Sequence, residues 1–343
     1  MKIAVLAGGN STERAVSLCS GARIANALRK NGHRVLLLDL CTGLSRLPSN
    51  PEALFTEEGT ALTIDRPAEN DDLLLVEPIG ANVIELCRIA DVAFLALHGG
   101  AGEDGSLQAV LECNGIVYTG SGAAGSMLAM DKDLSKRLFR AAGVPTPDWV
   151  LYDVEKQTFS GAVESVGFPC VVKPANGGSS VGVSFVGDRQ ALFAALEQAA
   201  PLCRYLLVER RICGRELTIG VLGERLLPPV EILPPDGVYD YQNKYNGKTQ
   251  EICPANLPAH ISAKLKEFAR RAFDALRLRD YARFDFLLDE AGELWCLEGN
   301  TLPGMTPTSL FPKEAETVGI SYAALCELLV QMSIERGRRG AFR

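Results

Sequence analysis

The sequence predicts an α/β protein whose first part is an open parallel sheet. Two observations carry this. Over residues 2–120, short apolar runs alternate with helical stretches in the manner of βαβ units. The chain has 343 residues, too many for one ordinary core, so two or three domains are expected.

Residues 2–7 read as a buried strand, and Gly8-Gly9 turn the chain. A helix near 13–30 follows and stops at Lys30-Asn31-Gly32, a good C-terminal signal. A second strand is expected at 35–40, a less regular stretch at 42–82, and a third strand at 91–97. A helix at 104–113 and a fourth strand at 116–119 complete the sheet. A helical region at 122–142 is closed by Gly143-Val144-Pro145-Thr146-Pro147. Strands are expected at 149–152, 169–174, 181–186 and 204–209, with a helix at 188–199. Antiparallel strands at 216–233 lead to a long polar loop at 234–257, the kind that is usually functional or disordered. A helix at 258–277, a hairpin at 281–298 and a helix at 321–336 end the chain.

Composition is that of a soluble globular protein, 47% hydrophobic and 22% charged. The net charge of −7 argues against general nucleic-acid binding. No apolar run reaches the roughly 20 residues of a membrane span. No secretion signal is visible, so a cytoplasmic location without membrane or nucleic-acid partners is expected. Ten cysteines form no CxxC, and Cys87, Cys113, Cys170, Cys296 and Cys326 sit in apolar runs, so reduced core residues are expected. The three histidines, His33, His98 and His260, are too scattered for a zinc site.

Two glycine motifs mislead. GSGAAG at 120–125 has the GxGxxG spacing, but follows the fourth strand and lacks an acid about 20 residues on. NGKT at 246–249 echoes a P-loop ending, with Gln242 where the first glycine belongs.

Four stretches carry chemistry. In VVKPANGGSSVGVSFV (171–186), a lysine ends a strand before four small residues. Such a loop makes an anion nest, and Lys173 adds a charge beside it; a plain flexible hairpin is the other reading. In YARFDFLLDEAGELWCLEGN (281–300), Asp289 to Gly292 turns between two strands. Pairing 288 with 293 sets 283 opposite 298 and 285 opposite 296, which projects Arg283, Asp285, Glu298 and Asn300 from one face. Phe284, Phe286, Leu288, Trp295 and Leu297 fall on the other. Two carboxylates and an amide suit Mg²⁺, and the arginine suits a developing anion; ordinary surface salt bridges are the alternative. VERRICGRE (208–216) offers Glu209 and Glu216, and DYQNKYNGKTQEICPA (240–255) reads as a lid.

Taken together, GGNSTERAVS, FLALHGGAGEDGSLQ, YTGSGAAGSMLAMDK, VVKPANGGSSVGVS, YDYQNKY, CPA, ARFDFLLD and LEGNTLPGMTPTSL resemble the D-alanine–D-alanine ligase family, of the ATP-grasp fold, over nearly the whole chain. The resemblance implies an N-terminal Rossmann-like α/β substrate domain (1–120), a central ATP-grasp subdomain (121–209), and a C-terminal one (210–343) with the lid loop 234–257. It implies ATP-dependent joining of two D-alanines through an acyl phosphate, for peptidoglycan synthesis and cell shape. D-serine or D-lactate as second substrate is the alternative, although the lid pair Lys244-Tyr245 favours a dipeptide product. Glu13 would hold the first substrate's ammonium, with His98 nearby; N-x-x-E spacing also suits a capping box with Asn10. Lys132, Lys173, Ser179 and Lys244 would grip ATP phosphates, and Glu209, Ile212 and Glu216 the adenine and ribose. Asp285, Glu298 and Asn300 would bind two Mg²⁺ or Mn²⁺ ions. Arg283 and the Gly304 N–H would stabilise the oxyanion, Ser309 and Leu310 would take the second carboxylate, and Ser179 and Tyr245 would link with Glu13. Gly299 departs from the family's usual alanine or valine, and Arg210-Arg211 flank the adenine position. The family's common state is a homodimer. A nucleotide-binding module without turnover and a Rossmann oxidoreductase are the competing classes; the complete Arg283/Asp285/Glu298/Asn300 set argues against the first, and the second has only GSGAAG in its favour.

Overall fold

Three sheets organise the protein, in a computed structural model that describes residues 1–57, 77–161, 163–178, 181–235 and 249–339. The first holds β1 (Lys2–Ala7), β2 (Arg34–Asp39) and β3 (Val92–Leu95), all parallel, in the order β2-β1-β3. Ile3, Ala4, Val5, Leu6 and Ala7 are fully buried. Helix α1 (Arg14–Lys30) packs so closely that a methyl on Gly21 would come within 2.5 Å of the Ala7 side chain. Gly32, at φ +82°, turns the chain out of α1. Helices α2 (Val83–Ile89), α3 (Gly100–Glu103) and α4 (Ser106–Cys113) complete this part.

The expected fourth strand at 116–119 is a single bridge, Ala93 to Tyr118. The Leu95 N–H donates to the Thr119 hydroxyl (3.0 Å) instead of a backbone carbonyl, and Gly120 turns away at φ +89°, so the ladder stops. Cys113 is exposed, not core: α4 buries Leu107, Gln108 and Leu111, and position 113 lies off that stripe. The expected helix 122–142 is two, α5 (Ala123–Met130) and α6 (Lys132–Ala141). Asp131 between them leaves helical dihedrals and caps α6, accepting from the N–H groups of Asp133 (2.9 Å) and Leu134 (3.0 Å).

The second sheet is antiparallel, β5-β4-β8-β6-β7, from β4 (Trp149–Asp153), β5 (Thr158–Phe159), β6 (Cys170–Pro174), β7 (Ser184–Val186) and β8 (Tyr205–Arg210). Helix α7 (Arg189–Ala199) buries Leu192 and Leu196 against it. The third, also antiparallel, runs β12-β11-β9-β13-β14 with β10 on β9. Its strands are β9 (Gly214–Leu222), β10 (Arg225–Leu226), β11 (Val230–Leu233), β12 (Gln250–Ile252), β13 (Tyr281–Asp289) and β14 (Leu294–Asn300). Helix α8 (Ala259–Ala275) covers one face through Leu265, Phe268 and Ala272.

The β13–β14 register differs from the expected one. The turn closes with Asp289 and Glu293, whose N–H groups donate to the Glu293 carbonyl (3.0 Å) and the Asp289 carboxylate (2.8 Å), so 288 pairs with 294. A bulge between Asp285 and Phe286 takes up one further residue of β14. Beyond it Asp285 pairs with Glu298, and Arg283 with Asn300. Strict alternation would have put Cys296, Glu298 and Asn300 on one face. The bulge instead leaves Leu294 and Cys296 buried and turns Glu298 and Asn300 the other way. Trp295 and Leu297 therefore leave the core face assigned to them: Trp295 bonds Asp289 and Leu297 lines a cleft.

Helices α9 (Leu310–Thr317) and α10 (Tyr322–Arg338) end the described chain. Helix α10 returns to the first sheet, where Leu325, Cys326, Leu329 and Val330 share one core with β1 to β3. His33 Nε2 lies 2.6 Å from Glu327, and the Asn31 amide donates to the Ala323 carbonyl (3.0 Å). All ten cysteines are free of disulfides. Among the described residues no single helix is long and apolar enough to cross a membrane.

Candidate active site

Two adjoining cavities, of about 330 and 670 Å³, lie between the sheets. Lys132, Gly177, Gly178 and Glu298 line both, so the cavities meet there.

The larger is lined by Lys173, Glu209, Ile212, Glu216 and Asp285. Lys173 lies one residue before the end of β6 and donates to Glu209 Oε1 (2.9 Å) on the neighbouring strand β8. Lys132 starts α6 and donates to the Gly177 carbonyl (2.6 Å) in the glycine loop, 3.1 Å from Glu298. Val171, Phe185, Ile212 and Leu297 supply apolar walls. Arg211 lies over the Phe185 ring (4.9 Å) at this cleft, and Arg210 over Trp295 (4.8 Å).

The smaller cavity gathers Glu13, His98, Glu103, Arg283, Asn300, Gly304, Ser309 and Leu310. Glu13 is itself the residue before α1, with no side-chain cap bond, so the capping box does not form. Its carboxylate points between two glycine loops: methyls built on Gly178 and Gly99 would sit 3.1 and 3.6 Å from Glu13 Oε2. His98 is buried, its Nδ1 3.1 Å from the Leu302 carbonyl and its Nε2 3.4 Å from Ser20 Oγ. Burial lowers its pKa below the ordinary imidazole value, against the pull of Glu13. A neutral ring donating from Nδ1 fits these contacts. Ser309 precedes α9, where Oγ lies 2.8 Å from Thr306 Oγ1 and accepts from Thr306 N–H (3.1 Å).

The β13–β14 ribbon floors both cavities. Arg283 grips Asp285 with two parallel bonds, each 2.9 Å. Thr218 Oγ1 (2.6 Å) and the Asn300 amide (3.0 Å) also donate to Asp285. With its NH₂ turned to Asp285, Asn300 has its carbonyl oxygen as the remaining donor to a cation. Among the described residues no three His, Cys, Asp or Glu side chains cluster. The set is two carboxylates and one amide, hard oxygens already neutralised by Arg283 and Lys132, and it fits a divalent ion completed by water and phosphate oxygens.

Every expected site residue within the described chain lines one of the two cavities. Ser179, Lys244 and Tyr245 lie outside the described residues, as do all but Thr249 of NGKT. GSGAAG lines neither cavity, and its first glycine is committed elsewhere: the Gly120 N–H donates to Asp280 (3.0 Å), and Arg279 donates to the Gly120 carbonyl (3.2 Å). Three groups escaped the sequence reading, two of them fully buried and Glu103 half-buried. Lys136 is fully buried, 2.5 Å from Glu209 Oε2. Glu103 accepts from Gly99 N–H (2.9 Å) and Leu302 N–H (3.2 Å), and burial raises it to about 7. Glu314 on α9 is buried against Gly220; burial pushes it well above the usual carboxyl range, with Arg283 opposing. KDLSKR reads as an ordinary surface helix, and only the fold shows that Lys136 points inward.

The comparisons with known proteins agree with this geometry. A model described as "D-ala D-ala ligase N-terminus" matches residues 2–121, and "D-ala D-ala ligase C-terminus" matches 138–331. The chain is 40% identical to the D-alanine–D-alanine ligase of Pediococcus pentosaceus, covering 96% of this chain and 97% of that one. It is 39% identical to that of Nitratidesulfovibrio vulgaris, covering 99% and 100%. The crystal structure of the Bacillus anthracis D-alanine–D-alanine ligase complexed with ATP superimposes with a TM-score of 0.79 at 29% identity, covering 99% of each chain. Two antiparallel sheets closing on a nucleotide-sized cleft, beside a Rossmann-like sheet, are the ATP-grasp architecture. Within that class, the chain belongs to the D-alanine–D-alanine ligase family.

Proposed function

We infer that this chain is an ATP-dependent ligase joining two D-alanine molecules into D-alanyl-D-alanine, a peptidoglycan precursor. The supporting observation is the junction of the two cavities at Lys132, Gly177, Gly178 and Glu298. An amino-acid pocket opens there onto a nucleotide-sized cleft, which is the adjacency that phosphoryl transfer to a carboxylate requires.

Glu13 binds the ammonium of the first D-alanine and aims its carboxylate at the junction, with His98 packed beside it. Lys132, Lys173 and, from the lid, Lys244 orient the ATP phosphates, with Ser179 in the glycine loop. Glu209 and the Ile212 backbone take adenine, and Glu216 the ribose. The γ-phosphoryl group passes to the first carboxylate, giving an acyl phosphate and ADP. Ser309 and the first N–H of α9 hold the second D-alanine by its carboxylate, as a helix N-terminus favours. Its amine attacks the acyl carbon, and the tetrahedral oxyanion falls to Arg283 and the Gly304 N–H, each such donor lowering the barrier by about 3 kcal/mol. Phosphate then leaves. Asp285, Glu298 and Asn300 would hold Mg²⁺ or Mn²⁺, which when bound neutralises phosphate charge. The lid residue Tyr245, with Ser179 and Glu13, closes the site against water. A cytoplasmic homodimer, with no membrane or nucleic-acid partner, is part of this reading.

Phosphate release from Mg-ATP is the test, with D-alanine, L-alanine, D-serine and D-lactate supplied singly and in pairs. D-alanine alone is expected to suffice. Release that needs L-alanine overturns the substrate assignment, and release only with D-alanine plus D-serine or D-lactate moves the second substrate.

A further inference from the structure

Glu209 carries two lysines. Lys173 donates to Oε1 at 2.9 Å, and Lys136 reaches Oε2 at 2.5 Å. The lysines differ in place. Lys173 lines the nucleotide cleft. Lys136, one turn along α6 from Lys132, is fully buried behind Glu209. It also donates to Thr146 Oγ1 (2.6 Å), and its Nζ sits 5.0 Å from the Trp149 ring centroid. Burial lowers Lys136 to about 8, against the attraction of Glu209. Burial alone would raise Glu209, and the two ammonium groups outweigh it and hold the carboxyl below its ordinary range. The cluster is thus one carboxylate between two ammonium groups, with one positive charge in excess and one of its cations at the cleft wall.

We propose that Lys136 is a positioning residue that keeps Glu209 neutralised when Lys173 swings from it to a nucleotide phosphate. The proposal rests on the nucleotide reading of the larger cavity. With Lys136 present, Lys173 leaves behind a paired carboxylate. Without it, the same movement strands a buried, unpaired charge, which is strongly unfavourable. Lys136 touches no substrate; it sets what releasing Lys173 costs, and so acts on the phosphates and not on the base.

The test is Lys136→Met, read as the ratio of affinity for Mg-ADP to affinity for adenosine, by titration calorimetry for the first and displacement of a fluorescent nucleotide for the second. The ratio is expected to fall at least about tenfold, with adenosine affinity nearly unchanged. Equal weakening of both ligands would assign Lys136 a merely structural role and overturn the proposal, as would an unchanged ratio. Should Lys136→Met fail to fold, Glu209→Gln in the otherwise intact chain decides: Lys173 is then no longer held, and the ratio is expected to rise even as adenosine weakens. A ratio that stays or drops in Glu209→Gln overturns it too. A wild-type chain that binds neither ligand sinks the nucleotide reading itself, a result distinct from either variant's failure.

Discussion

Glu103 shows how a single half-buried group ties the smaller cavity to pH. Its carboxyl is raised by burial to about 7, from 4.5, even though Gly99 and Leu302 donate to it. A carboxyl whose folded pKa is raised takes up protons on folding between those two values. The stability it contributes is fully present below about 4.5 and is lost as pH rises through about 7. Glu103→Gln, neutral at every pH, removes that slope. Thermal melts from pH 5 to 8.5 are expected to show the wild type losing on the order of 1–3 kcal/mol relative to the variant. Parallel curves would show that the carboxyl is already ionised. Lys132 and Lys173 were legible because each sits in a motif at the end of an element. Lys136, Glu103 and Glu314 were not, because charged residues in short polar runs read as solvent-facing until packing turns them inward.

At the level of elements, the ribbon's function depends on its bulge. The converging face of Arg283, Asp285, Glu298 and Asn300 was readable from alternation; the route to it was not, because turn closure and the bulge each shift the pairing by one residue. The two shifts move the partners but keep the four side chains together. Gly299, opposite Phe284 across this ladder, follows from the same packing: a methyl there would sit 2.6 Å from Phe284 Cε1. Gly299→Ala is therefore expected to destabilise by about 1–3 kcal/mol, seen as a lowered Tm. An unchanged Tm would mean that Phe284 has room to turn. The failed fourth strand has an equally local cause, a Thr119 hydroxyl taking the N–H that a ladder would have used.

Across the whole molecule, the two ends of the chain are one piece. Helix α10 completes the core of the first sheet, some 290 residues after β2 is made, and the His33–Glu327 pair ties it to the turn between α1 and β2. Removing the residues after Ile320 is expected to uncover the apolar faces of Leu28 and Val92. That loss should appear as strong binding of a hydrophobic dye and disappearance of the native melting transition; a preserved transition would show that α10 is dispensable. During synthesis the ribosome releases β1 to β3 long before their last partner exists. The nascent N-terminal half must wait, partly unfinished and in need of shelter, until the final helix emerges and lets both ends close together.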